Sequence, residues 1–335
     1  MDKLKENLKK IPIELIIILA TLVAYLIAVN IFTSKETGII PIIIAAIIGF
    51  EIVFFVAVEI KQGVKKHGWK HEIVDTLVAV FIAVLLWISA SIILNSSTPI
   101  SAVASCSMLP NLERGDFIIV QGAEAEAYEI SMTLAELDSL NGPVTVERYD
   151  GAETTLSMPL YAYCACNPSE ELCRQFSQAP ELFTEKQGPF SYHYAMCEVE
   201  FEGGVKGYGK CLQYVEFRGR KYYANMSNDI IVYVPASSDL YYQIGDIVHR
   251  LFFKIDVNGE TYYLTKGDNN PIMDIQAADM SCKNLNIRNH PVAEESLRGK
   301  VIGRVPYLGY LKLFIIGQWT EDEQCGWQIN YATVN

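Results

Sequence analysis

The stretch from residue 101 to residue 120, SAVASCSMLPNLERGDFIIV, decides how the rest of the chain is interpreted. If the segment up to Pro110 is extended, side chains alternate between faces, so Ser105 and Ser107 point the same way and Cys106 points to the other side. The run NLERGD has the composition of a turn, and FIIV that of a buried strand. This serine segment therefore predicts two neighbouring hydroxyls held in a fixed place.

Three apolar runs precede the serine segment, at residues 13–32, 39–60 and 74–94, each about 20 residues long, the length that crosses the hydrocarbon core as a helix. The first run is longer than the core of a cleaved signal peptide and no clear small-residue cleavage site follows it, which favours an uncleaved anchor. Glu51 is the acidic residue deepest in a span, and it is a functional group, a partner for another chain or an interfacial residue. We predict three transmembrane helices over residues 1–94.

Lysine clusters before the first span and between the second and third set the expected orientation, since the loop between the first two spans has one lysine. The residues are Lys3, Lys5, Lys9 and Lys10, then Lys61, Lys65, Lys66 and Lys70, and Lys35 in the intervening loop. Basic segments stay on the cytoplasmic side. We therefore expect a multi-pass protein of the cell membrane with a cytoplasmic N-terminus and an extracytoplasmic domain after residue 94.

The exterior part is acidic. The chain has 27 Lys and Arg and 39 Asp and Glu residues, of which 9 and 8 precede residue 95, so the remaining 18 and 31 give a net charge of about −13. Such a surface binds nucleic acid poorly, so we expect no nucleic-acid partner. The lipid membrane is an expected partner because of the three spans.

All eight cysteines lie in the exterior part, where oxidising conditions permit disulfides. Disulfides are favoured over a zinc site because no CxxC pair occurs and no histidine stands at zinc-finger spacing. No cofactor or metal is expected, and the cysteine pairing stays open. Cys106 is expected to pack as a small residue behind the serines, with a free thiol as the alternative.

Two further regions of alternating apolar and polar residues follow the serine segment. Residues 122–227, rich in Tyr and Cys, predict strands and hairpins in a separate lobe with a short helix near its start. Residues 228–318 predict more strands, two of them joined by a Val-Asn-Gly-Glu turn. Together with residues 95–121 they would form one mainly β domain, followed by a tail at 319–335.

A serine nucleophile needs a base within hydrogen-bond reach and a third group that orients the base. The exterior histidines are His193, His249 and His290. His193, between two tyrosines, is expected to be a packed or sheet-surface residue, and His249 stands in a predicted strand. Composition alone explains His249 equally well as a core residue, and Asp268 and Asp274 as turn residues.

Five ordered segments resemble the successive boxes of type I signal peptidases, in the archaeal and endoplasmic-reticulum branch that has histidine where bacterial enzymes use lysine. These are Ser105–Pro110 with Gly115 and Asp116, Asn228–Val232, Ile247–Arg250, Lys266–Asn270 and Gly303–Tyr310. The resemblance covers the serine segment and residues 228–316. It implies a β-rich catalytic domain that binds its substrate as an added strand.

The resemblance also implies roles for single residues. Ser107 matches the nucleophile and His249 the general base. Asp274 best matches the aspartate that orients the base, while Asp268 matches the Gly-Asp-Asn motif and braces the site, and exchange of these two roles is the alternative. Ser105 matches the residue whose hydroxyl joins the Ser107 backbone N–H in binding the oxyanion.

The implied activity is that of a serine endopeptidase that cleaves signal peptides from exported preproteins at the outer membrane face, with protein-export machinery as a further partner. A peptidase for specialised precursors, such as prepilin-like proteins, and a non-catalytic ectodomain that binds a partner are the alternatives. The chain departs from the family pattern at Cys106, where glycine is usual, in its three spans and in the insertion at 122–227. This insertion is expected to be a recognition lobe, a lid or a stabilising decoration.

Overall fold

The computed structural model describes residues 13–32, 39–279, 282, 287–321 and 323–331. The lysines at positions 3, 5, 9, 10 and 35, which the expected orientation uses, lie outside these residues. In chain order the α-helices are α1 Ile13–Ile31, α2 Ile39–His67, α3 Trp69–Ile93, α4 Leu134–Ser139, α5 Leu160–Cys166, α6 Glu171–Gln178 and α7 Tyr310–Ile315.

The strands fall into two sheets. In chain order they are β1 Ile100–Ala102, β2 Phe117–Gln121, β3 Tyr128–Ser131, β4 Val144–Arg148, β5 Glu153–Leu156, β6 Phe183–Gln187, β7 Phe190–Phe201, β8 Lys206–Phe217, β9 Arg220–Tyr223, β10 Ile230–Tyr233, β11 Ile247–Val257, β12 Glu260–Lys266, β13 Val292–Ala293, β14 Leu297–Val305 and β15 Trp327–Asn330.

Two helices, α2 and α3, are long and apolar enough to cross a membrane. They meet at Gly68, whose φ of 81° is a left-handed conformation that ends a helix. The expected basic loop is therefore mostly helical, and Lys65 and Lys66 lie in the last turn of α2, where positive charge complements the helix dipole. Against α2 packs α1, and the Thr21 hydroxyl donates to Glu51 Oε1 over 3.1 Å, so Glu51 has a partner within the chain.

The first sheet has the order β1–β2–β14–β10–β11–β12–β13, with β3 added parallel to β11. The predicted turn between β11 and β12 contains Asn258 with φ of 56° and Gly259 with φ of 91°. Both positions need a left-handed backbone, which Asn-Gly supplies in a tight hairpin. The second sheet has the order β5–β4–β6–β7–β8–β9, with β15 beside β7.

Residues 122–227 supply the strands β4–β9 of the second sheet, as expected for a lobe, but they share a core with the first sheet, because one hydrophobic cluster contains side chains from both sheets. Phe253 of β11 stacks on Phe190 of β7 with 5.3 Å between ring centroids and meets the Tyr222 ring edge-on at 5.0 Å. Strand β3, at residues 128–131, even joins the first sheet. Alternation shows that a strand buries one face but not which other sheet covers it.

Replacing Phe253 with alanine should therefore loosen the contact between the sheets. We expect Phe253→Ala to lower the free energy of unfolding by about 3–5 kcal/mol, because a large ring leaves a cavity in a dense core. Thermal unfolding of the full chain in detergent, followed by near-UV circular dichroism, measures the change. Phe201→Ala is the matched control, since its ring is 44% exposed. Equal losses in the two variants would contradict a shared core.

Candidate active site

The serine segment is a strand followed by a turn rather than an extended run up to Pro110. Strand β1 ends at Ala102, and the Val103 backbone exchanges hydrogen bonds of 2.9 Å with Asp116 and Gly115 across the segment. Residues 105–111 then turn, with Leu112 N donating to the Met108 carbonyl over 3.0 Å. Buried Met108 and Leu112 anchor this turn in a small core with β2.

Although the segment is not extended, its two hydroxyls are neighbours: Ser105 Oγ lies 3.1 Å from Ser107 Oγ. Cys106, between them, forms a disulfide with Cys325. The predictions that Cys106 packs as an unbonded small residue or carries a free thiol are therefore both wrong. The partner lies 219 residues away in sequence, beyond what local spacing reveals. The bond fastens the segment before β15 to the residue beside the proposed nucleophile.

His249, on β11, contacts both Ser107 and Asp274. Its Nδ1 lies 2.6 Å from Asp274 Oδ2 and its Nε2 lies 3.0 Å from Ser107 Oγ. An ionised carboxylate only accepts hydrogen bonds, so Nδ1–H donates to Asp274 and, in the neutral ring, Nε2 accepts from the serine hydroxyl. All three side chains are buried, with Ser107 8% exposed.

The Asp274 carboxylate is held by three neighbouring strands of the first sheet. Besides His249, its Oδ2 accepts from Thr265 Oγ1 on β12 over 2.5 Å and from Tyr233 Oη on β10 over 3.3 Å. Burial raises the pKa of Asp274, but the charge and hydrogen bond of His249 and the two hydroxyls outweigh it, so the pKa lies below its ordinary value. Asp274 is therefore ionised at neutral pH. Our sequence prediction missed Tyr233 and Thr265; the position of Thr265 just before the Lys-Gly-Asp motif is the one available signal.

Asp268 lies away from His249 and instead accepts two hydrogen bonds from Arg250. Arg250 Nε and Nη2 donate to its two carboxylate oxygens over 2.7 and 2.8 Å, and Asn111 Nδ2 donates over 2.8 Å. Arg250 also donates to the carbonyls of Met226 and Asn228. The structure thus gives the two aspartates different contacts: Asp274 orients the imidazole, and Asp268 ties the His-Arg strand to the turn after Ser107.

Asn269 positions the backbone of the serine turn. Its N–H donates to the Ser107 carbonyl over 2.7 Å, and its Nδ2 donates to the Cys106 carbonyl over 3.2 Å and the Trp327 carbonyl over 2.9 Å. In a trans peptide the carbonyl and the N–H point in opposite directions. The contact at the Cys106 carbonyl therefore turns the Ser107 N–H away from Asn269. Sequence analysis did not predict this role for Asn269.

Asp116, of the Gly-Asp pair that follows the serines, joins the serine segment to the last box. Its buried carboxylate accepts from the Glu113 N–H over 3.0 Å, from Arg304 Nη1 over 3.0 Å and from the Tyr307 N–H over 3.2 Å. Gly115 has a φ of 89°, and a Cβ there would lie 2.1 Å from the Tyr310 ring. The Gly-Asp pair is thus required by the packing of two distant segments.

The other predicted residues lie elsewhere. His193 stacks on Tyr214 with 4.3 Å between ring centroids, and His290 Nδ1 lies 2.6 Å from Asp239 Oδ1. The remaining cysteines form three disulfides: Cys164–Cys173, Cys166–Cys282 and Cys197–Cys211. No group of three or more potential metal ligands occurs among the described residues.

A cavity of about 600 Å³ lies behind the serine turn, between the start of α2 and the tip of the β7–β8 hairpin. Leu109, Pro110, Phe201 and Trp327 are among its lining residues, together with the Cys106–Cys325 disulfide. Of the described residues, the Ser, His and Asp of the hydrogen-bonded chain are not in its wall. The cavity therefore lies apart from this hydrogen-bonded chain.

Known proteins similar to this chain do not indicate its chemistry. No family model matches the chain. The chain is similar to the uncharacterized protein MJ0260 of Methanocaldococcus jannaschii, at 24% identity over 223 residues. These residues are 66% of this chain and 85% of that protein, whose name carries no activity.

Lys266 is a buried base next to this site. Its Nζ donates to the Gly267 carbonyl over 3.0 Å and lies 4.0 Å from the centre of the Tyr331 ring. Burial lowers the pKa of Lys266 to about 7, although the charges of Asp268 and Asp274 act in the opposite direction. The free lysine has a pKa of about 10.4, so the unfolded chain binds the proton more tightly. Lys266 therefore destabilises the fold fully below about pH 7, and this penalty fades as the pH rises toward 10.4.

Lys266→Met should remove this pH dependence. We expect the variant to gain unfolding free energy relative to the unsubstituted chain at about pH 6.5 and to lose that gain progressively toward about pH 9, since only the buried ammonium titrates there. Thermal unfolding of both proteins across this range measures the difference. Lys312→Met, at an exposed lysine, is the control and should give a flat difference. A flat difference for Lys266→Met as well would contradict the lowered pKa of Lys266 in the folded chain.

Asp268→Asn should damage the fold more than the proton-transfer geometry. We expect a loss of about 3–5 kcal/mol of unfolding free energy, because the variant leaves the Arg250 guanidinium buried without its counter-charge. Chemical denaturation in detergent measures the change in unfolding free energy. Asp256→Asn is the control, because Asp256 is an exposed residue on β11, the strand of Arg250. A stability equal to that of the control would show that the Arg250–Asp268 pair contributes nothing net.

Proposed function

We propose that this chain is a membrane-anchored serine endopeptidase that removes signal peptides from exported preproteins. The observation that carries the proposal is the continuous hydrogen-bonded chain from Asp274 through His249 to Ser107, with the Ser105 hydroxyl beside the last member. A partner-binding ectodomain has no need of this arrangement. Activating a serine, in contrast, needs a base at one ring nitrogen and an orienting acceptor at the other.

The reaction follows from these positions. Ser107 Oγ attacks the carbonyl carbon of the scissile peptide while its proton passes to His249 Nε2, and Asp274 stabilises the resulting imidazolium. His249 then gives the proton to the leaving amine, which departs and leaves an ester on Ser107. Water, deprotonated by the same His249, attacks this ester; the bond to Ser107 Oγ breaks, His249 returns the proton to Oγ, and the carboxylic acid product leaves. The Ser105 hydroxyl and the Ser107 N–H are the donors for the oxyanion that forms in both steps.

The substrate assignment rests on the resemblance and on the short tether to the membrane helices. Ser107 lies thirteen positions after Leu94, which limits the reach to about 40 Å. The tether is itself held, since the Gly122 N–H donates to the Leu94 carbonyl and Asn95 Nδ2 donates to the Gly122 carbonyl, both over 2.8 Å. A nucleophile close to the lipid surface suits a bond just beyond a membrane-embedded signal peptide. Shallow pockets for small residues one and three positions before the cut would fit the Ala-x-Ala pattern.

The proposal includes α1 as a third span, a cytoplasmic N-terminus and a catalytic domain outside the cell membrane. Its support is the apolar length of residues 13–31 and the lysine distribution of the sequence. In addition, Tyr25 of α1 donates a hydrogen bond to the Pro306 carbonyl in the last box. Signal peptides, the lipid membrane and protein-export machinery are the partners this implies.

Cleavage of a preprotein by full-length variants in detergent or liposomes tests the proposal. We expect Ser107→Ala, His249→Ala and Asp274→Ala each to lower kcat by about 10³-fold or more, and Ser105→Ala by about 10²- to 10³-fold through loss of one oxyanion donor. Ser101→Ala, a serine of β1 outside the hydrogen-bonded chain, is the control and should keep full activity.

Full processing by the Ser107→Ala variant would contradict the assignment of Ser107 as the nucleophile. Parallel assays with an ordinary preprotein and a prepilin-like precursor separate the two peptidase alternatives. If the unsubstituted chain cleaves only the precursor, then the substrate class changes while the chemistry stands. Cleavage of neither substrate by the unsubstituted chain counts for the non-catalytic ectodomain.

A further inference from the structure

The second sheet reaches the proposed catalytic aspartate through a buried chain of hydrogen bonds. Asp274 begins a short 3-10 turn that ends at Gln276. Gln276 Oε1 accepts from the Met273 N–H over 3.2 Å, and Gln276 Nε2 donates to Tyr194 Oη of β7 over 2.7 Å. Tyr194 Oη in turn donates to Glu185 Oε2 of β6 over 2.6 Å. Asp274 is thus connected by its own turn to two central strands of the second sheet.

The donors and acceptors in this chain have one consistent direction. A tyrosine hydroxyl donates once and accepts from others, an amide nitrogen only donates, and a carboxyl oxygen that carries no proton only accepts. Glu185 Oε2 takes a second hydrogen bond from the Leu160 N–H over 3.1 Å, which fixes the carboxylate from the start of α5. Glu185 and Gln276 are fully buried and Tyr194 is 1% exposed, so water does not compete for these bonds.

Glu185 does not contribute as simple core filling. Its Oε1 is buried without a hydrogen-bond partner among the described residues, and burial raises the pKa of the carboxyl. A buried carboxylate costs several kcal/mol of solvation that an apolar side chain of similar volume avoids. What distinguishes this carboxylate from such a side chain is the directed acceptor that it offers to Tyr194.

We propose that Tyr194, Glu185 and Gln276 are positioning residues that hold Asp274 in hydrogen-bond contact with His249. The inference rests on the proposed peptidase function and gives residues 122–227 a part in catalysis. The Cys166–Cys282 disulfide adds a covalent link between this region and the segment that follows the Asp274 turn. Since catalysis loses about 10²-fold for a misplacement of about 1 Å, a brace at this turn acts on kcat rather than on substrate affinity.

Two tyrosines on the same strand supply a matched pair of variants. Tyr194→Phe removes a hydroxyl that links Gln276 to Glu185, and Tyr192→Phe removes a buried hydroxyl with no partner among the described residues. Both changes delete one oxygen atom from the inner face of β7. We expect Tyr194→Phe to lower kcat by about 10- to 100-fold with KM changed less than about twofold. Tyr192→Phe should leave kcat and KM unchanged.

The carboxylate is tested by a conservative and a disruptive variant. Glu185→Gln keeps an oxygen that accepts from Tyr194, so it should retain most of kcat, whereas Glu185→Ala should lose as much as Tyr194→Phe. Equal behaviour of Tyr194→Phe and Tyr192→Phe would overturn the proposal, as would Glu185→Gln falling to the level of Glu185→Ala. Thermal unfolding of each variant separates a positioning effect from loss of the fold.

A readout without substrate keeps this inference separate from the function proposal. The proton shared by His249 and Asp274 over 2.6 Å should give a strongly downfield proton resonance in the full chain in detergent micelles, assigned by its loss in Asp274→Ala. Tyr194→Phe should weaken or abolish this resonance, and Tyr192→Phe should retain it. If the resonance persists unchanged in Tyr194→Phe, then the brace is wrong even if the unsubstituted chain cleaves preproteins. If the resonance disappears in Tyr194→Phe while the unsubstituted chain cleaves no substrate, then the positioning role is supported and the proposed function fails.

Discussion

The buried carboxylate of Asp274 is the group on which the arrangement of the proposed reaction centre depends. An ion in a dry interior is tolerated only when hydrogen bonds replace its lost water. Here the replacement comes from three adjacent strands, with Tyr233 on β10, His249 on β11 and Thr265 on β12. All three donors reach the same oxygen, Oδ2, from strands that lie side by side in the sheet. The sheet topology and the site therefore depend on each other.

The proposed nucleophile is likewise held by contacts from other segments. Ser107 lies on a turn with little regular structure of its own, and its position is set from outside by Asn269, by the Arg250–Asp268 pair through Asn111, and by the disulfide at Cys106. Each contact comes from a segment distant in the sequence. The turn is therefore held by contacts to several distant segments rather than by its own hydrogen bonds alone.

Sequence analysis predicted Ser105, Ser107, His249 and Asp268 from short motifs whose order resembles one known family, and Asp274 from its match to a family position beyond the Lys-Gly-Asp motif. It also found the hairpin turn at Asn258, because positive φ at two successive positions has a distinct residue preference. It could not find the docking of the second sheet on the first. Amphipathic alternation identifies a buried face but carries no information on its partner, and contacts such as Phe190–Phe253 depend on global packing.

Cys106 shows most clearly why some features of the proposed site could not be predicted from the sequence: its disulfide partner lies 219 residues away. The family pattern has glycine here, and a positive φ would strain a cysteine, but Cys106 is not among the positive-φ residues of the described chain. Its side chain is bonded to Cys325. A glycine would leave the backbone between the two serines conformationally free. The disulfide instead removes that freedom by linking the serine turn to the segment that leads into β15, which pairs with β7 of the second sheet. The second sheet thus reaches the proposed reaction centre by two routes, through Gln276 to the aspartate and through Cys325 to the serine.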